Sequence, residues 1–120
     1  MSTRIIAVTI DCHDAEALAA FWRQALEYPA IERWQDGHGR TYVELRRGDE
    51  VPVLFQPVGE GKQVKNRVHL DIAPTARDQD AEVERLVELG ARVLTDDPAE
   101  RFVVLADPEG NEFCVLPPRP

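Results

Sequence analysis

The feature that most constrains this chain is a repeat. Val8-Thr9-Ile10-Asp11-Cys12 is echoed by Val68-His69-Leu70-Asp71-Ile72 at an offset of 60, half of the 120 residues. A repeat in so short a chain means two copies of one supersecondary unit, and two units meeting would frame a shared cleft. The second copy lies in the run Asn66 to Ile72, which alternates. Val68, Leu70 and Ile72 fall on one face, and Arg67, His69 and Asp71 on the other. Strand side chains alternate with a period of two, so one face can pack on a core while the other carries chemistry.

Each copy opens the same series of elements. Residues 4 to 12 read as a strand rich in Ile, Val and Thr. Asp14 is an N-cap, and Glu16 sits where the helix dipole favours a negative charge. Leu18, Phe21, Trp22, Ala25 and Leu26 form one helical stripe, closed by Tyr28-Pro29. Strands are expected over 30–35, 40–46 and 51–58, with Asp36-Gly37-His38-Gly39 as a turn and Pro52 marking an unpaired or edge start. Residues 59–65 are polar and glycine-containing, a linker between the halves. In the second half, residues 78–89 read as a helix with Val83, Leu86 and Val87 inward and Glu82, Glu84, Arg85 and Glu88 on a solvated face. Gly90 fits its C-terminal cap. Strands follow over 92–95, 101–106 and 112–116, with Asp107-Pro108-Glu109-Gly110-Asn111 as a hairpin turn. The expectation is an α+β fold of one domain, with modules at 4–58 and 66–117.

Charge narrows the partners. Fourteen basic against twenty-two acidic residues give a net charge of −8, which disfavours non-specific binding to nucleic acid or anionic lipid. No apolar run approaches the ~20 residues that span a membrane. The run Ile5 to Ile10 is too short for a signal peptide. Cys12 and Cys114 make no disulfide framework, so the cytoplasm is the expected compartment.

Three segments carry a resemblance to a known family: Asp14 to Trp22 in the first helix, Leu89-Gly90-Ala91-Arg92-Val93 after the second, and Asp107-Pro108-Glu109-Gly110-Asn111-Glu112-Phe113 near the end. Together with the His69-Leu70-Asp71 strand they resemble the vicinal oxygen chelate superfamily, and within it the small glyoxalase-like or bleomycin-resistance-like proteins. The resemblance implies two βαβββ modules whose eight strands form a curved sheet around a U-shaped cavity. It implies either an enzyme of lyase, isomerase or transferase type acting on a small polar organic molecule, or a metal-free protein that binds or sequesters a small molecule or drug. It also implies a homodimer.

Metal-holding members of that superfamily take one ligand from the first and last strand of each module. Carried onto this chain, those positions fall on Ala7 or Thr9, on Phe55 or Gln56, on His69, and on Cys114 with Glu112 two residues earlier. Only His69 is a firm match. The ligand set for a divalent metal is incomplete, and no cofactor is expected; a zinc site from His69, Cys114, Glu112 and water is the chemistry left open. The catalytic candidates are His69, Asp71 and Glu112. His69 suits proton transfer or metal ligation, and a hydrogen-bonded structural histidine is the plain alternative. Asp71 and its repeat partner Asp11 are candidate bases, or carboxylates paired with arginine or backbone amides. Asp11, Trp34, Tyr42, Gln56 and Arg67 are the candidate ligand-binding residues. Trp22, at helical spacing, reads as core, and Cys114 as a buried structural cysteine.

Overall fold

The computed structural model describes residues 2–119. Among them the elements run β1 (Val8–Cys12), α1 (Ala15–Leu26), β2 (Ala30–Gln35), β3 (Thr41–Arg46), β4 (Val53–Pro57), β5 (Leu70–Ile72), α2 (Gln79–Leu89), β6 (Arg92–Thr95), β7 (Val103–Ala106) and β8 (Glu112–Val115). The chain divides after Gly61 into two compact units. Each is a βαβββ module with its own four-stranded sheet, ordered β1-β4-β3-β2 in the first and β5-β8-β7-β6 in the second.

Both sheets have the same wiring. The strand before the helix pairs parallel with the last strand of its module. The other pairs are antiparallel. A parallel pair cannot be closed by a tight turn, so a helix and two strands supply the crossover. The repeat holds at the level of register as well. Ile10 pairs with Phe55, and Leu70 pairs with Phe113, so Ile10 and Leu70 occupy equivalent places.

In the first module, Asp14 caps α1 by accepting a hydrogen bond from the Ala17 amide at 3.0 Å. The helix buries Leu18, Ala19, Phe21, Trp22 and Ala25 beside Val43, Leu45 and Phe55 of the sheet. Phe21 and Trp22 meet edge to face at 5.2 Å. In the second module, Asp78 caps α2 through the Ala81 amide, and Leu86, Leu105, Phe113 and Val115 are fully buried. Full burial of such side chains contributes roughly 1.5–3 kcal/mol each.

Several expectations are corrected. The first strand starts only at Val8, and Ile5 and Ile6 are 72% and 59% exposed. The strand expected over 66–72 starts at Leu70, and Val68 is 79% exposed rather than in the core. The cause is local. The Asn66 amide donates to Glu112 Oε1 at 3.1 Å and its side chain to Asn111 Oδ1 at 2.9 Å. Side chains thus hold the backbone where ladder bonds would have been, and it bends at 67–68. In α2, Val87 is exposed while Glu82 is buried. Glu82 sits inside because Arg77 and Arg85 both donate to its carboxylate, at 2.9 and 2.8 Å. In the turn at 36–39, the residue with positive φ is Gly39 rather than Gly37, and Asp36 accepts from the amides of His38 and Arg40. No helix among the described residues is long and apolar enough to cross a membrane.

Candidate functional site

The alternation of β5 and β8 sorts the second-module sheet into two faces. Leu70, Phe113, Val115 and Leu105 lie on the face of the core. The other face carries the chemistry. The parallel register sets Asp71 directly beside Cys114, and Cys114 in turn pairs with Val104 of β7. His69 stands two residues before Asp71, as Glu112 does before Cys114. These side chains line a cavity of about 250 Å³, whose apolar walls are Phe102, Val104 and Leu116 and whose polar edge includes Lys65.

Three donor groups converge in it. His69 Nε2 lies 3.3 Å from Asp71 Oδ1. The Cys114 thiol is buried and hydrogen-bonds the Asp71 carboxylate. Burial pushes this thiol up, the Asp71 charge and hydrogen bond add to the rise, and Lys65 opposes it. The thiol is therefore protonated at neutral pH and donates to Asp71. One nitrogen of His69, one oxygen of Asp71 and the sulfur of Cys114 all lie within 4.8 Å of one another.

Glu112 lines the same cavity but is otherwise engaged. It accepts from Lys62 Nζ at 3.1 Å and from the Asn66 amide. Burial would raise its carboxyl, but the Asn66 amide, its own amide and Lys62 outweigh that and hold it low. Its visible task is to fasten the segment that carries Lys65. The ligand group left open by the sequence was His69, Cys114 and Glu112; in the structure Asp71 stands where Glu112 was expected. Arg67, expected on the same face as His69, is exposed in the bend before β5 and is not among the cavity-lining residues.

The first module repeats the pattern with different residues. Asp11 pairs with Gln56, and Trp34 with Tyr42. Val43 pairs with Phe55, and carrying that register on by one residue sets Tyr42 opposite Gln56. Asp11, Gln56, Tyr42 and Trp34 thus form one row across the four strands. Trp34 stacks on Tyr42 with ring centroids 4.3 Å apart, and its other side is open, with the residue 44% exposed. Burial raises the Tyr42 hydroxyl, and the charge of Asp36, which it hydrogen-bonds, raises it further. Thr9 shares the exposed face of β1 with Asp11, while Trp22 is core at 1% exposure.

Sequence reasoning did not single out Lys65, Phe102, Val104 or Leu116; it read Cys114 as a structural cysteine by default and left it open as a zinc ligand. The period of two through 112, 114 and 116 was a usable signal for Leu116. Lys65 had none, because its position depends on the contacts that Glu112 and Asn111 make with Asn66 and Lys62.

Residues 7–116 match the glyoxalase-like domain family. No curated protein matches the chain in sequence. Among solved structures, the fosfomycin resistance protein FosX of Listeria monocytogenes, complexed with Mn(II) and sulfate, superposes with a TM-score of 0.74 at 16% identity, covering 100% of this chain and 95% of that one. The trypanothione-dependent glyoxalase I of Leishmania major gives 0.71 at 16% identity, covering 96% and 86%. A glyoxalase/bleomycin resistance protein/dioxygenase family enzyme of Burkholderia phytofirmans gives 0.69 at 18%, covering 94% and 97%. At these identities the structural likeness speaks for the fold, and with the match over 7–116 it leads to one conclusion: the chain belongs to the glyoxalase-like domain family of the vicinal oxygen chelate superfamily.

Proposed function

We propose that this protein acts on a small organic molecule seated on the open face of its second-module sheet, with His69 and Asp71 as the polar working pair. One observation carries the reading: the His69–Asp71 contact at 3.3 Å borders a cavity of about 250 Å³ that is otherwise walled by Phe102, Val104 and Leu116. A pocket with mostly apolar walls and few convergent polar groups is the usual form of a small-molecule site. Asp71 orients the imidazole, and an oriented imidazole suits proton transfer. That chemistry fits a lyase or an isomerase; a transferase would use the same pair with a second substrate. The test is a protein-observed NMR screen with small carbonyl and carboxylate compounds. Shifts should cluster at His69, Val104 and Leu116, and His69→Ala should abolish them while the fold persists. Shifts confined to other residues would overturn the assignment.

A second reading, ligand binding without chemistry, is favoured by the cross-strand row of the first module. The open face of Trp34 suits a planar ligand, with Asp11 and Gln56 supplying hydrogen bonds. Saturable quenching of Trp34 fluorescence by a compound that emerges unchanged would support it.

Listeria FosX is seen with Mn(II), which raises the question of a metal here. Mn(II) favours oxygen and nitrogen ligands, whereas the donors that converge in this chain include a thiol. The set does not fit a hard ion of that kind, and the proposed function runs without one. We also propose a homodimer. Each sheet ends on edge strands, and β6 is exposed along its whole length, so an edge is left that a second copy can cover. Light scattering should give twice the 13.5 kDa of one chain.

A further inference from the structure

We propose that the cleft between α1 and β2, within the first module, binds a small zwitterion of the α-amino-acid type, its carboxylate on Arg23 and its ammonium on Glu27.

Strand alternation makes the cleft. Trp34 stacks on Tyr42 over the open face of the first-module sheet, so Ile31 and Arg33 turn to the other face, opposite Leu45 and Val43. There Arg33 reaches Glu16 of α1. On α1 and its cap, Glu16, Ala20, Arg23 and Glu27 follow at helical spacing along one stripe. Stripe and strand border a cavity of about 560 Å³, with Ala20, Ile31 and Tyr28 as its apolar wall. That size is ordinary for a small-molecule pocket.

Two opposite charges on its rim are kept from each other. Arg23 and Glu27 stand one helical turn apart, the spacing at which such side chains usually pair. Arg23 instead donates from Nε to the Tyr28 carbonyl at 3.4 Å and from Nη2 to the Pro29 carbonyl at 2.8 Å. Among the described residues no carboxylate pairs with it. A guanidinium fork has five N–H donors, so the Nη1 side of Arg23 is left to receive an anion. Arg33 has no such spare charge, because Glu16 accepts from it twice, at 2.7 and 2.8 Å.

Glu27 is held in place at a backbone cost. The second module ends its helix on Gly90, at φ 128, whereas α1 ends on Glu27, at φ 58. Glu27 is the one non-glycine residue of positive φ among the described residues. A left-handed cap suits glycine, and a residue kept there against that preference points to a use for its side chain. The surroundings are preset. Arg47 donates to the Leu26 carbonyl at 3.1 Å and covers the Tyr28 ring, whose hydroxyl donates to the Val51 carbonyl at 3.2 Å. A cleft so fixed loses little freedom on binding.

The charges select the ligand. An anion alone meets repulsion from Glu27, and a cation alone meets it from Arg23. A molecule with a carboxylate and an ammonium on neighbouring atoms satisfies both, and the apolar wall receives an aliphatic side chain.

The test is a heteronuclear NMR titration of the full chain with L-leucine, L-valine and L-methionine. At least one should give saturable shifts at the amides of Ala20, Gln24, Ile31 and Arg33. For L-leucine, 4-methylpentanoate lacks the ammonium and 3-methylbutylamine the carboxylate; each should bind at least tenfold more weakly. Arg23→Gln should weaken the amino acid at least tenfold. That variant also loosens the helix end, so Glu27→Gly supplies the independent check. It should melt no lower than the parent, because glycine relieves the cap, yet bind the amino acid and its carboxylate analogue alike. No saturable shifts at those amides with any of the three amino acids overturns the inference. So does a single-charge analogue or inorganic phosphate that binds as tightly as the amino acid, or a Glu27→Gly protein that keeps the parent's preference for the zwitterion.

Discussion

Replacing Leu105 by alanine should cripple the second module, whereas replacing His69 should leave it folded. Leu105 is 0% exposed and pairs with Phe113 in the middle of the sheet. Truncation to alanine removes three carbons, about 2.4 kcal/mol of transfer free energy at ~0.8 kcal/mol each. The residual cavity brings the expected cost to ~2–5 kcal/mol. For a chain of 120 residues the unfolding entropy is roughly 0.25 kcal/mol/K, so each kcal/mol lowers Tm by ~4 °C. Leu105→Ala should therefore melt about 8–20 °C below the parent. His69 is different. Its side chain is 39% exposed and its carboxylate partner 54%, so the contact is solvent-screened and its loss should stay within ~0.5 kcal/mol, or ~2 °C. Leu70, expected from the sequence to be core, is only half-buried, and its alanine variant should cost less than that of Leu105. Circular dichroism melts and urea titrations of the three variants give the comparison. If His69→Ala falls as far as Leu105→Ala, or Leu105→Ala melts within 3 °C of the parent, the two faces of this sheet have been assigned the wrong way round.

Other consequences are open to measurement. Burial would raise the Glu82 carboxyl, but Arg85 and then Arg77 bring it below its ordinary 4.5. A depressed folded value means that its contribution is present above the unfolded carboxylate range and is lost as pH falls through the folded value. Glu82→Gln should cost ~1–2 kcal/mol near neutrality and flatten the stability profile below about pH 4.5; an unchanged acid limb in urea titrations would refute the clamp. Asp107, 3% exposed, accepts from the amides of Glu109 and Asn111 and from the Asn111 side chain. Asp107→Ala should cost ~2–4 kcal/mol and speed hydrogen exchange at Glu109 and Asn111, while exchange at parental rates would count against it. Of the two tryptophans, Trp34 is 44% exposed and Trp22 1%. Iodide should quench the parent and hardly touch Trp34→Phe; equal quenching of both proteins would place the stack elsewhere.

The modular plan was legible in the sequence because it rests on local rules. The repeat at Asp11 and Asp71, the stripe through Leu18, Phe21 and Trp22, and the caps at Asp14 and Gly90 depend on periodicity and on backbone groups a few residues away. The candidate site was legible in part. Alternation placed His69 with Asp71, and the structure holds them 3.3 Å apart. What only the tertiary structure decided is which strands lie side by side. Parallel register, set by a crossover of some forty residues, put Asp71 against Cys114 and lined up Asp11, Gln56, Tyr42 and Trp34. Long-range contacts also bent the chain at Arg67 and Val68 and spent Glu112 on Lys62 and Asn66. No local pattern encodes these outcomes. A side chain's partner across a sheet is chosen by strand order and register, and a buried charge is tolerated only where the fold delivers its counter-ions.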